Sequence, residues 1–297
     1  MAIFITGATG YLGGSIAVRL VAAGHTVRGL ARNAEKAQGL SDAGIVPVLG
    51  ALDDSETLIR EARAAEAVIN AADSDHRGAV EALIAGLAGS GKPFLHSSGS
   101  SIVADDAHGD TASDRIFEDD TPFTPAPEKA GRVAIDRLVT AAADRGIRSA
   151  VLCNTMVYGI GTGLHRDSVQ VPWLVAQARR SSVARCVGKG ANIWSNVHVA
   201  DAVELYLAAL ERAPAGAFYF VENGEASFRS IAEAIAHRLG LGEPASWPFE
   251  EAAREWGYAR AAYTFGSNSR VRARRARDEL GWRPTRASLI DWIGSEG

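Results

Sequence analysis

Nine residues near the start of the chain, Thr6-Gly7-Ala8-Thr9-Gly10-Tyr11-Leu12-Gly13-Gly14, have the types and spacing to hold a phosphate. They lie between an apolar run, Ala2–Thr6, and an apolar-periodic stretch, Ser15–Ala23. In that setting Gly7 permits a tight turn and Gly10 lets the backbone approach a pyrophosphate. Gly13 lets the following helix pack close to the strand. Thr9, Tyr11 and Leu12 complete the loop, whose amides would face the anion together with the positive end of the helix.

A dinucleotide held there places its adenosine ribose beside the end of the second strand. An acidic side chain at that point binds the ribose hydroxyls and repels a 2′-phosphate. The residue in that position is Ala31, with Arg32 after it and Arg28 three residues upstream. Loss of the carboxylate and gain of guanidinium groups favour NADP over NAD.

Groups able to move a proton or hold a substrate oxygen follow other strands. Asp73, Asp75 and His76 come just after the fourth strand, and His165 lies in a glycine-rich loop after the sixth, Gly159–Gly163. Histidine titrates near neutrality, which suits proton transfer. The run Ser97-Ser98-Gly99-Ser100-Ser101 offers hydroxyls that either bind substrate or cap the turn's own backbone. Histidine, aspartate and cysteine are too scattered for metal-ligand spacing, so no metal is expected.

The elements that must position these groups alternate regularly through the first half. Strands are expected at Ala2–Thr6, Thr26–Leu30, Val46–Leu49, Ala67–Asn70, Pro93–His96 and Ser149–Leu152. Helices are expected at Ala34–Ala43, Ser55–Ala64, Gly78–Ser90 and Ala130–Arg145. Continuous apolar strands alternating with helices imply a parallel sheet covered on both faces. After Tyr158-Gly159 the pattern becomes helix-rich, with helices at Pro172–Arg180, Val199–Arg212, Ser227–Leu239, Glu250–Trp256, Val271–Leu280 and Ser288–Ile293 and a strand at Phe218–Val221. The polar, proline-containing stretch 105–127 reads as a loop beside a site.

Composition bounds the function. The 297 residues are 47% hydrophobic, enough for a real core, and the formal charge of −4 offers no global field for nucleic acid. Two cysteines, Cys153 and Cys186, make no disulfide framework. No apolar run reaches the roughly 18 residues that span a bilayer, and the N-terminus lacks a signal-peptide pattern. A cytoplasmic enzyme with a small-molecule partner, and neither nucleic acid nor membrane, is the expectation; homodimerisation is left open.

The G-x-x-G-x-x-G spacing resembles that of the extended branch of the short-chain dehydrogenase/reductase superfamily, which includes epimerases and dehydratases. The resemblance extends to Ala71-Ala72, Ser97-Ser98, Tyr158-Gly159, Asn196-Val197-His198-Val199-Ala200-Asp201 and Leu280-Gly281-Trp282-Arg283-Pro284. It implies a Rossmann-type doubly wound parallel sheet over 1–160, with return elements from about 190–222, and a smaller helix-rich C-terminal substrate lobe over 161–297. It also implies that Ala71, Ala72 and Tyr158 line the cofactor pocket and that Asp53 substitutes for the residue touching adenine. His198 and Asp201 order the start of a helix.

One part of the family pattern is missing. Relatives use Tyr-x-x-x-Lys at the start of the fifth helix, the Tyr passing a proton to or from a substrate oxygen. None of the four lysines here, Lys36, Lys92, Lys129 and Lys189, has Tyr four residues before it. The family register, anchored on Asp136-Arg137-Leu138-Val139, puts Arg132 in the Lys position and Glu128 in the Tyr position. These two form either a surface i,i+4 pair or a substitute catalytic pair. In the same register the positioning serine falls at Gly99, leaving Ser98, Ser100 or Ser101 to replace it. Asp73, His76 and His165 are the other substitutes for substrate binding or proton transfer.

Two further clusters have competing readings. Arg270, Arg272, Arg274, Arg275 and Arg277 form either a solvated helix face or an anion site. Trp173, Trp194, Trp247 and Trp256 form either a core or an apolar substrate pocket. The reading is an NADP-dependent oxidoreductase acting on a small carbonyl or alcohol by non-standard proton transfer. Nucleotide-sugar epimerase or dehydratase chemistry and an inactive NADP-binding regulator are the alternatives.

Overall fold

A computed structural model describes residues 1–295 of the 297. The first half alternates β1 (Ala2–Thr6), α1 (Tyr11–Ala22), β2 (Thr26–Ala31), α2 (Ala34–Asp42), β3 (Val46–Leu49), α3 (Ser55–Ala64), β4 (Ala67–Asn70), α4 (Arg77–Leu87) and β5 (Pro93–Gly99). A short β6 (Phe117–Glu118), α5 (Ala130–Ala141) and β7 (Arg148–Asn154) complete it. The second half runs β8 (Met156–Tyr158), α6 (Gln170–Ser181), β9 (Arg185–Val187), β10 (Ile193–His198), α7 (Val199–Arg212), β11 (Ala217–Val221), β12 (Glu225–Ser227) and α8 (Phe228–Leu239). It ends with β13 (Ala245–Trp247), α9 (Phe249–Trp256), β14 (Val271–Arg272), α10 (Arg274–Glu279) and α11 (Leu289–Ser295).

Seven strands form one sheet in the order β11-β7-β5-β4-β1-β2-β3, and every pairing in it is parallel. Chain order reverses between β1 and β4, opening a crevice at the strands' carboxyl ends. Apolar side chains cover both faces. One core joins Ile3, Ile5 and Leu95 to α1 and α7 through Ile16, Leu20, Leu205 and Tyr206. The opposite core packs Phe4, Val68 and Phe94 against Leu58, Leu83 and Val139 of α3, α4 and α5. A third core, with Met156, Leu174, Trp194, Phe228, Ile231 and Trp256, builds the smaller lobe. The Rossmann-type doubly wound sheet is thus present, and among the described residues no helix is long and apolar enough to cross a membrane.

Two expected elements differ. Helix α1 begins at Tyr11 rather than Ser15, because Gly10 takes the extended N-cap conformation directly after the turn. The helix expected over Val271–Leu280 is split. Val271 and Arg272 are extended as β14, paired in parallel with β6, and only Arg274–Glu279 is helical. The extended conformation brings Arg270 and Arg272 to the carboxylate of Glu225, at 2.6 and 3.0 Å. Segment 105–127 is mostly irregular but pinned: Asp105 accepts from the amide and side chain of Asn268, and Asp119 from the amides of Phe220 and Arg275.

Candidate active site

The glycine turn forms the floor of a cavity of about 490 Å³ at the switch point. Gly7 has φ +75°, and a Cβ on it would lie 2.3 Å from the carbonyl oxygen of Ala71. A Cβ on Gly13 would lie 2.4 Å from the Gly7 carbonyl oxygen. The turn is therefore compressed between its own helix and the end of β4, where only hydrogen fits. No side chain caps α1, so the amides of its first turn point outward for an external acceptor. Thr9, Gly10, Arg32, Asp53, Ala71, Ala72, Asp73 and His76 all line the cavity. This cradle fits the pyrophosphate and adenosine half of a nicotinamide dinucleotide.

Two lining residues constrain each other. Nδ1 of His76 accepts from the Ala79 amide at 3.1 Å and so caps α4, which leaves Nε2 to donate to Asp53 at 3.0 Å. Both ring nitrogens are engaged, so His76 is placed as a wall of the cleft rather than as a free base. Arg28 departs from the sequence expectation. Its guanidinium donates to the buried carboxylate of Glu61 at 2.7 Å, and it is not in the cavity lining; Arg32 alone of the pair is there.

Past β4 and β5 lies a second set of polar groups. Arg132, on α5, donates to both oxygens of Asp75, with Nε at 2.8 Å, and its Nη1 reaches the Ser101 hydroxyl at 3.2 Å. The Arg132 hydrogen bonds hold the Asp75 carboxyl below its ordinary range. Arg132 therefore makes neither the surface pair nor the catalytic pair with Glu128. Glu128 instead shares a cavity wall with Tyr263, whose phenol beside it holds the Glu128 carboxyl low as well.

Beneath these groups, facing α5, runs a buried chain. Thr6 donates to Asn70, and the Asn70 amide donates to His96 Nδ1 at 3.0 Å. His96 Nε2 lies 3.9 Å from Asp136, whose other oxygen accepts from Ser98 at 2.8 Å. Burial pushes the Asp136 carboxyl up to about 7 and the His96 imidazole down to about 4, so both tend to neutrality. Ser98 is thus held by Asp136, and Ser100 is buried against Ser269 at 2.9 Å. Of the three serines, Ser101 keeps a half-buried hydroxyl oriented by a cation, whereas Ser100 ties the two lobes together.

A separate cavity of about 520 Å³ opens on the other side of the Glu128 turn. Phe117, Phe123, Tyr258 and Tyr263 give it aromatic walls; Asp106, Arg115 and Glu128 supply charge. This aromatic set was not anticipated. Three of the expected tryptophans, Trp194, Trp247 and Trp256, are core residues of the smaller lobe. Trp173 carries the Arg260 guanidinium 3.7 Å above its ring. The arginine run is neutralised by Glu225, Glu118, Asp120, Glu279 and Glu222 and offers no open anion site.

Two more expected residues sit elsewhere. Tyr158 is buried in the smaller lobe, donating to the Ala287 carbonyl at 2.6 Å, and lines neither cavity. His165 is exposed on a loop that packs on α1, where Tyr11 donates to the Gly159 carbonyl and the Thr162 amide reaches Ser15. Leu12 packs into the core beside the first turn rather than into the cleft. His198 caps α7 through the Ala200 amide, and Asp201 accepts from the amides of Thr285 and Arg286.

Comparison with known proteins agrees with this geometry. The model of the NAD dependent epimerase/dehydratase family matches residues 3–221. An uncharacterized protein of Schizosaccharomyces pombe (strain 972 / ATCC 24843), C2A9.02, is 30% identical over 310 residues, covering 100% of this chain and 99% of its own. The 4-hydroxy-2-methyl-3-oxo-4-farnesyl-3,4-dihydroquinoline-1-oxide ketoreductase of Stigmatella aurantiaca is 28% identical, covering 100% and 97%. Among solved structures, dTDP-glucose 4,6-dehydratase from Bacillus anthracis str. Ames, in complex with NAD, superimposes with a TM-score of 0.77 at 16% identity, covering 99% of this chain and 94% of that one. The chain belongs to the NAD dependent epimerase/dehydratase family. It is an NAD(P)-dependent oxidoreductase of the extended short-chain dehydrogenase/reductase type.

Proposed function

We propose that the protein is an NADP-dependent reductase of a small carbonyl compound. The observation that carries the cofactor choice is the cleft in which Arg32, with no acidic residue at the end of β2, faces the adenosine end. Gly7, Gly10 and Gly13 would hold the pyrophosphate against the first turn of α1, and Arg32 the 2′-phosphate. Asp53, tied to His76, would flank the adenine, with Ala71, Ala72 and Asp73 closing the β4 side. The bound nicotinamide would exchange a hydride with the substrate. The Ser101 hydroxyl, oriented by Arg132, would hold the substrate oxygen at the entrance between the two cavities. The Stigmatella aurantiaca ketoreductase supports carbonyl reduction as the direction of the chemistry.

Titration of the protein with NADPH and with NADH, read by nicotinamide emission, tests the cofactor reading. NADPH is expected to bind tighter. Arg32→Glu is expected to remove that preference by about ten- to a hundredfold, the worth of a charge-assisted contact. Equal binding of both cofactors by the wild type would refute NADP selection, and binding without turnover of any carbonyl would favour a regulator.

A further inference from the structure

We infer that Tyr263, reaching over from the smaller lobe, is the acid that protonates the substrate oxygen. The inference rests on the carbonyl-reductase reading and deepens it. Reduction of a carbonyl needs a proton donor at its oxygen, and Glu128, its carboxyl held low, cannot donate. Arg132 is committed to Asp75 and is permanently protonated. His76 spends both nitrogens on Asp53 and Ala79, and His165 is exposed outside both cavities.

The geometry places a phenol where it is needed. Along the carboxyl edge of the sheet, the cofactor cleft ends at Asp73 and His76, and the aromatic cavity begins at Glu128. The Asp75–Arg132 pair ties the loop that carries Asp73 and His76 to the helix that follows Glu128. A dinucleotide with its adenosine at Arg32 must extend its other half across the switch point toward this pair. Tyr263 lines the aromatic cavity beside Glu128. Glu128 is the residue that the family register puts in the missing tyrosine's place.

The phenol is held from several sides. It lies in a π-helical turn, Arg260–Phe265, a local widening that recurs at functional sites. Its carbonyl is fixed by the Ser267 hydroxyl at 3.0 Å, and the Lys129 ammonium stands 5.0 Å from its ring centroid. The Glu128 carboxylate beside it raises its ionisation to about 12, so it keeps its proton at working pH. It remains a stronger acid than the alcohol formed by reduction, so its proton passes downhill to the alkoxide.

The hydride, supplied by reduced nicotinamide, adds to the carbonyl carbon, and the C=O π pair becomes an alkoxide pair on oxygen. That pair takes the Tyr263 proton, breaking its O–H bond. Lys129 stabilises the resulting phenolate until a solvent proton restores it.

The test uses 9,10-phenanthrenequinone, an aromatic dicarbonyl that matches the cavity walls, with the full chain and Tyr263→Phe. Infrared difference spectra are expected to show a lowered carbonyl stretch for the quinone bound to wild type and loss of that lowering in Tyr263→Phe. With NADPH present, kcat is expected to fall by about a hundredfold or more, the usual share of a general acid. The NADPH dissociation constant and circular dichroism should be unchanged. A wild type without the stretch shift, or a variant that keeps it, overturns the assignment. A Tyr263-dependent shift without NADPH oxidation would instead overturn the reductase reading while leaving the phenol as the oxygen's partner.

Discussion

At the residue scale, two sites decide most of the behaviour. Gly7 combines a left-handed φ of +75° with a backbone neighbour 2.3 Å from any added Cβ. Gly24 has φ +84° and nothing within 4 Å, so it isolates the cost of the backbone angle alone. Gly24→Ala should cost about 1–2 kcal/mol. Gly7→Ala should cost clearly more and abolish NADPH binding, as urea unfolding and emission titration would show. The buried pair makes an unusual pH prediction. Relative to ordinary values of 3.8 and 6.5, Asp136 is raised to about 7 and His96 lowered to about 4. Through most of that interval the folded protein keeps the Asp136 proton that the unfolded chain loses, and lacks the His96 proton that the unfolded chain holds. The two slopes oppose, so the pair contributes almost no net pH dependence between about 4 and 6.5. Asp136→Asn removes the falling slope, so its stability relative to wild type should rise with pH, by up to roughly 3 kcal/mol. His96→Gln should show the reverse. Arg132 and Asp75, the charged groups nearest the pair, remain in both variants, and parallel curves for all three proteins would contradict the assignment. The glycine turn was legible in the sequence because its chemistry is local. Tyr263 was not, since its meaning depends on a turn in the other lobe meeting Glu128.

At the element scale, β5 shows why alternation matters. Ser97 faces α7 and meets Tyr206 at 2.7 Å, while His96 and Ser98 face α5 and meet the Asp136 chain. A serine run therefore splits between two layers, and only its continuation beyond the strand reaches the cleft. The strand and helix positions of the first half were readable from apolar runs and turns. The β6–β14 pairing was not, because two residues carry no periodicity and their partners are distant in sequence. Its stability depends on Glu225, which accepts from both Arg270 and Arg272 and is held low chiefly by the Arg270 hydrogen bond. Glu225→Gln leaves two guanidinium groups short of their counter-charge at a partly buried site. The variant should lose about 2 kcal/mol in urea unfolding, below the cost for a fully buried pair because water screens part of the charge. Loss under about 0.5 kcal/mol would mean the pair is no more than a surface contact.

At the scale of the whole molecule, the sheet and the smaller lobe are interleaved rather than joined in series. A boundary at 160 follows the change in sequence rhythm, and β11, within the return elements expected over about 190–222, completes the sheet by pairing with β7 along Ala217–Val221. Helix α7 covers one sheet face with Leu205, Tyr206, Ala209 and Leu210, and Trp282 joins the same core with its indole donating to the Asp201 carbonyl. A fragment ending at 160 would expose that face, including Leu95, Ala150 and Leu152, together with the open edge of β7. Such surfaces are aggregation-prone and deny the fragment a closed core. It is expected to bind a hydrophobic dye, to lack near-ultraviolet circular dichroism and to bind no NADPH. Cooperative unfolding with retained cofactor binding would show that the first six parallel strands suffice. The interleaving also explains why Tyr263 reaches a cavity walled by Phe117, Phe123 and Glu128 of the first half. Ser269, bonded to Ser100, and Asn268, bonded to Asp105, hold the π-turn's exit against the end of β5, so neither lobe can shift without moving the other's side chains.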